Sequence, residues 1–125
     1  YGNPEPPVDA CKLAVASGAT YVARWTTAQP AALVKALKEA IRHRGFSFID
    51  TISQCPTQAG RYIFANDDPT KLLEVLKTRK ISCAQAAKLP EKELQDRIVT
   101  GKLFEDNQKQ EFVAKIYSLM ETAKG

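Results

Sequence analysis

Among the 125 residues, the segment with the clearest chemical potential is Ser53-Gln54-Cys55-Pro56-Thr57-Gln58. A thiolate is both a soft metal ligand and a nucleophile, and Pro56 stiffens the backbone beside it. Nucleophilic catalysis also needs a base. The single histidine, His43, is expected at the far end of the preceding helix, across a strand from this loop. Two readings of Cys55 therefore stay open: a fixed sulfur for a metal, or the buried structural thiol that cysteine more commonly is. No residue is assigned a catalytic role.

The other candidates have plainer readings. Cys11 and Cys83 stand 44 and 28 residues from Cys55, and there is no Cys-x-x-Cys. That is too sparse for a self-contained zinc site, so both are expected as structural thiols. The basic runs Lys77-Thr78-Arg79-Lys80 and Arg42-His43-Arg44 lie on segments that also carry acids, and read as solvated helix surface, not as a nucleic-acid face. Arg24 and Trp25 suit stacking or anion binding on paper, yet strand-end packing is their ordinary use. Neither a Gly-rich phosphate loop nor a His-Glu-x-x-His motif occurs.

Positioning Cys55 requires elements, and the hydropathy pattern supplies them. A helix is expected from Pro7 through Val15, closed by Gly18, then a strand over Thr20–Thr27, rich in β-branched and aromatic residues. Pro30 opens a second helix whose Leu33, Val34, Leu37, Ala40 and Ile41 repeat at helical spacing until Gly45. Phe46–Ile52 follows as a mostly apolar strand. Helix, strand, helix, strand with short loops is the signature of crossover units and a parallel sheet, and such sheets collect ligands at the carboxyl ends of their strands. Trp25-Thr26-Thr27 and the Cys55 loop occupy those ends. Two strands are too few for a stable sheet, so further strands are expected from the tail, another chain or an N-terminal portion.

Beyond Arg61 the pattern turns helical. Asp67-Asp68-Pro69 caps one helix, a short one passes through Ala84 and Ala87, another runs Glu91–Ile98, and Lys109–Ala123 forms the last. Val99–Phe104 is expected as an extended or turn segment. This gives a division into residues 1–65, an α/β portion, and 66–125, a mostly helical extension that packs on a neighbour.

Composition sets the outer limits. With 18 Lys+Arg, 14 Asp+Glu and 44% apolar residues the chain carries a formal +4 and reads as an ordinary globular domain, or part of one. No apolar run approaches the roughly 20 residues of a membrane helix, and no signal-peptide layout is present, so a cytoplasmic location without membrane partners is expected. The chain opens at Tyr1 in a Pro-rich segment, which suggests a removed leader or the back half of a longer protein.

Taken together, Tyr1-Gly2-Asn3-Pro4 with Pro7-Val8-Asp9, Ala19 to Thr27, Gly45 to Asp50, and Ser53 to Gln58 resemble, in order and spacing, the C-terminal part of the beta subunit of 2-oxoacid:ferredoxin oxidoreductases. The Ser-Gln-Cys-Pro-Thr-Gln form is most similar to the 2-oxoglutarate branch. The resemblance is specific to about Arg61 and looser beyond, where Gly101 and the last helix resemble the C-terminal extension.

That resemblance implies a thiamine-diphosphate-binding, Rossmann-like α/β fold and an enzyme that decarboxylates a 2-oxoacid. It also implies transfer of the acyl group to coenzyme A and of electrons through a [4Fe-4S] cluster to ferredoxin. By position Cys55 matches the fourth cluster ligand, while Cys11 and Cys83 have no counterpart. The other three cysteines, and the Gly-Asp-Gly motif for Mg2+ and diphosphate, would lie upstream, so this chain alone is expected to be inactive and without cofactor. Implied partners are the alpha subunit, with gamma and delta subunits where the enzyme has them. The competing expectation is a non-catalytic assembly module of a multisubunit complex.

Overall fold

In the computed structural model, residues 5, 7–109 and 111–124 are described; the Tyr1-Gly2-Asn3-Pro4 portion of the resemblance lies outside them. Helix α1 (Ala10–Ala16) starts where Asp9 accepts hydrogen bonds from the Cys11 and Lys12 backbone N–H groups. Strand β1 (Tyr21–Thr26), helix α2 (Pro30–Arg42) and strand β2 (Ser47–Ile52) follow as expected. A single π-helical turn, Pro56–Gly60, comes directly after Cys55. The remainder comprises α3 (Pro69–Arg79), β3 (Lys80–Ser82), α4 (Cys83–Ala86), α5 (Glu91–Leu94), β4 (Ile98–Glu105) and α6 (Phe112–Thr122).

One four-stranded sheet, in the order β2-β1-β4-β3, organises these elements. The β1–β2 and β3–β4 pairs are parallel, whereas β4 runs antiparallel to β1. Two further strands, β3 and β4, thus come from the tail. Val99–Phe104 lies within a central strand, and the helix expected over Glu91–Ile98 stops at Leu94 because Ile98 already pairs with Lys80. The tail therefore builds half the strands of the sheet as well as packing helices. Gly101 shows how tightly β4 meets α4: its φ is +134°, and a Cβ there would stand 2.8 Å from the Cys83 sulfur, a position suited to glycine.

Both faces of β1 are covered, as a strand with crossover helices requires. On one face Val22 packs with Cys11, Ala14 and Ala19 of the α1 side; on the other Tyr21 and Ala23 pack with Ala36 of α2. Tyr21, Val22 and Ala23 are essentially inaccessible. At roughly 1.5–3 kcal/mol for each large buried apolar side chain, this cluster anchors β1 and thereby the loop at its carboxyl end. By contrast α6 buries none of its residues, and Phe112, Ile116, Leu119 and Met120 remain exposed.

Candidate metal-ligand site at the strand ends

The carboxyl ends of β1 and β2 lie side by side, as parallel pairing dictates. Two hydrogen bonds join the loops that leave them. The Thr27 N–H donates to the Ile52 carbonyl at 3.0 Å, and the Thr27 hydroxyl donates to Gln54 Oε1 at 2.6 Å. Cys55 follows Gln54, so its backbone enters the site from a position tied to both strands. From there the chain folds into the π turn, closed by Gly60 N–H donating to the Cys55 carbonyl at 2.7 Å. Gly60 is buried against the Asn66 carbonyl and Leu72, where a Cβ would collide at 2.6 Å.

The Ala59 N–H, then that of Gln58 and the Thr57 hydroxyl, hold the Cys55 thiol below its usual pKa against a small opposing cost of burial. Hydrogen bonds to the charged form favour it, so the site stabilises a thiolate. Cys55 is only partly covered, and its Sγ lies 3.7 Å from Thr57 Oγ1. An accessible sulfur with a lowered pKa has the chemistry of a soft metal ligand or a nucleophile. Among the described residues no cluster of three or more His, Cys, Asp or Glu side chains that could hold a metal forms, so Cys55 has no companion ligands there.

The other two cysteines are unlike it. All three are free thiols. Cys11 is 3% exposed, its Sγ 3.8 Å from Asp50 Oδ2; burial, with the Asp50 and Asp9 carboxylates, outweighs Arg24 and raises its pKa to about 11. Cys83 donates to the Thr100 carbonyl at 3.2 Å, and burial raises its pKa. Thiolate is the reactive form, so at neutral pH iodoacetamide is expected to modify Cys55 first and Cys11 last. Raising the pH speeds Cys55 modification below the range where Cys11 ionises. Peptide mapping after timed alkylation checks the order; prior labelling of Cys11 would contradict its burial between α1 and the sheet.

His43 takes no part. Its Nε2 lies 2.8 Å from the Thr20 hydroxyl at the amino end of β1, opposite the Cys55 loop. Arg24 is not an anion site either, because its guanidinium donates to Asp50 Oδ2 at 2.7 Å and to Asp9 Oδ1 at 2.9 Å. Trp25 packs beside Ala23 and Ala36 with its buried indole N–H unpartnered. In the basic run, Lys77 pairs with Glu74 at 2.6 Å and Arg79 lies over the Phe64 ring. The π turn and the Thr27–Gln54 tie escaped sequence reasoning; a Thr and a Gln on adjacent strand ends were their only sequence trace.

Residues 1–51 match the family described as thiamine pyrophosphate enzyme, C-terminal TPP binding domain, a span that holds α1, β1, α2 and most of β2. The chain is similar, more particularly, to 2-oxoglutarate synthase subunit KorB. Identity to the subunit from Methanocaldococcus jannaschii is 44% over 124 residues, covering 99% of this chain and 45% of the relative. To that of Methanothermobacter marburgensis it is 37% over 125 residues, covering 100% and 43%. A solved 2-oxoglutarate:ferredoxin oxidoreductase from Magnetococcus marinus superposes with a TM-score of 0.72 at 22% identity, over 100% of this chain and 42% of that one. At that identity it supports the fold alone. The chain spans less than half the length of these relatives.

Proposed function

We propose that this chain is the C-terminal part of the beta subunit of a 2-oxoglutarate:ferredoxin oxidoreductase. In this reading the whole enzyme oxidatively decarboxylates 2-oxoglutarate, transfers the acyl group to coenzyme A and reduces ferredoxin. The observation that carries the reading is Cys55: a thiolate-stabilised sulfur at the carboxyl end of a parallel strand, in a chain similar throughout to KorB subunits. When bound, thiamine diphosphate with Mg2+ supplies an electron sink for decarboxylation, and a [4Fe-4S] cluster supplies one-electron transfer. The residues present fit one cluster ligand and no more. Cys55 offers the thiolate, the amides of Gln58 and Ala59 disperse its charge, and Thr27 with Gln54 holds its loop against the strand ends.

The alpha subunit, gamma or delta subunits where present, ferredoxin and coenzyme A are the partners this reading supplies, and the cytoplasm is its setting. Among the described residues no helix is long and apolar enough to cross a membrane. The division at residues 65/66 belongs to the same proposal, with the second part an extension that also completes the sheet. One observation favours an added assembly role: the exposed apolar residues of α6.

The test is reconstitution. The chain is produced anaerobically with the rest of its beta subunit and with the alpha subunit. About four iron atoms per assembled beta subunit are expected, together with coenzyme A-dependent ferredoxin reduction by 2-oxoglutarate. An assembled, iron-free protein with no such activity would sink the reading.

A further inference from the structure

Gln29 stands where helix α2 calls for a cap and does not supply one. Ser, Thr, Asp or Asn is the usual residue there, with a side chain that satisfies first-turn N–H groups; the Gln29 side chain makes no such bond. It reaches from the end of β1 to β4 instead. Its Oε1 accepts from the Thr26 hydroxyl at 3.2 Å, and its Nε2 donates to the Thr100 hydroxyl at 3.4 Å. That hydroxyl in turn donates to the Ile81 carbonyl of β3 at 3.3 Å. Thr26 and Thr100 are 0% and 2% exposed, so water cannot replace the partners that Gln29 provides.

The same segment carries the Cys55 loop. The Gln29 N–H donates to the Thr26 carbonyl at 2.9 Å, which closes residues 26–29 into a tight turn. Thr27, inside that turn, donates its N–H to the Ile52 carbonyl and its hydroxyl to Gln54, the neighbour of Cys55. One side of the turn is therefore bonded to the tail strands and the other to the loop that bears the sulfur. Thr100 is a stiff anchor, since β4 pairs with β1 on one side and β3 on the other. Four residues leave little slack between the two attachments.

We propose that Gln29 is a positioning residue for Cys55: by bracing the turn against β4 it sets where the Thr27–Gln54 tie holds the sulfur. The tail then has a part in the metal-ligand site that its distance in sequence conceals. The inference rests on the reading of Cys55 as a cluster ligand in the assembled enzyme. Groups that orient a metal ligand without touching the metal are worth about 10–100-fold in metal affinity. Gln29 acts through Thr27 and Gln54, so the lower end of that range, about tenfold, is expected.

Gln29→Leu removes both side-chain bonds at similar volume. In the chain alone it is expected to speed amide hydrogen exchange at Thr27 about tenfold more than at Val22 in the middle of β1. In the assembled enzyme it is expected to hold iron about tenfold less tightly in competition with a chelator, and to shift the cluster's midpoint potential and g-values. A loss of folding stability alone leaves that potential and spectrum at the parent values. Gln29→Glu, whose carboxylate can accept from both hydroxyls and lines a cleft holding Lys80 and Lys102 and no acid, is expected to restore them. Thr100→Val cuts the same brace from the β4 side and is expected to reproduce Gln29→Leu; it gives the deciding comparison if Gln29→Leu does not fold. Parent-like exchange at Thr27, or parent-like iron retention, potential and spectrum, overturns the proposal. An iron-bearing, active parent whose Gln29→Leu form matches it defeats this inference and leaves the functional reading standing. A parent assembly free of iron defeats that reading, and the exchange at Thr27 then decides the brace by itself.

Discussion

On the proposed function, Cys55→Ser in the assembled enzyme is expected to abolish the cluster's electron paramagnetic resonance signal and lower ferredoxin reduction by about a hundredfold or more. The scale follows from metal sites in general, where losing even an outer partner of a ligand costs roughly 10–100-fold. Serine retains the loop's shape and much of its hydrogen bonding but is a hard, poorly ionised donor in place of a soft thiolate. Cys83→Ser is the matched control, since Cys83 spends its hydrogen bond on the Thr100 carbonyl and lies beside Gly101. It should retain both signal and rate. If Cys55→Ser also retained them, the sulfur would be no ligand and the assembly role would stand alone.

The second large effect concerns folding. Arg24 ties Asp9, the cap of α1, to Asp50 of β2 across β1, with side-chain exposures of 18%, 36% and 25%. Replacing it by leucine leaves two partly buried carboxylates, one beside the Cys11 sulfur, without a cation. Removing one partner of a fully buried pair costs roughly 3–5 kcal/mol; with this much solvent access about 2 kcal/mol is expected. Urea unfolding at neutral pH measures it, and a loss under about 0.5 kcal/mol would place the network among ordinary surface pairs.

The pH dependence has a definite sign. Burial pushes the Asp9 carboxyl up, but the Lys12 N–H and the Arg24 guanidinium outweigh it and hold the pKa below the usual aspartate value. A depressed folded-state pKa contributes stability that is complete above the unfolded pKa and disappears as pH falls through the folded one. The gap between parent and Arg24→Leu should therefore be widest near neutrality and narrow below about pH 4. A gap that widened in acid would contradict the assignment.

Several parts of this arrangement were legible in the residues. Leu33, Leu37 and Ile41 mark α2 by spacing, Asp9 and Pro30 mark two helix starts, and the β-branched run before Thr27 marks β1; all depend on neighbours a few residues apart. Cys55 was placed at a strand end by the same local logic. Strand β4 was read only as an extended or turn segment over Val99–Phe104, because Gly101 and Lys102 interrupt its apolar pattern and its partner β1 lies about 80 residues earlier. The Glu91–Ile98 helix was overextended for a related reason: Ile98 and Val99 have a better use beside Lys80 and Ile81.

By itself, then, the sequence determined the helix–strand alternation, the strand-end position of Cys55 and the likeness to a 2-oxoacid:ferredoxin oxidoreductase beta subunit. These are written in periodicities and motifs that act over a turn or a strand. Only the tertiary structure decided that the tail adds β4 and β3 beside β1 and that Thr27 and Gln54 lock the loop. Each depends on pairing between distant segments, where hydrogen-bond direction and burial select among partners that local sequence leaves equal.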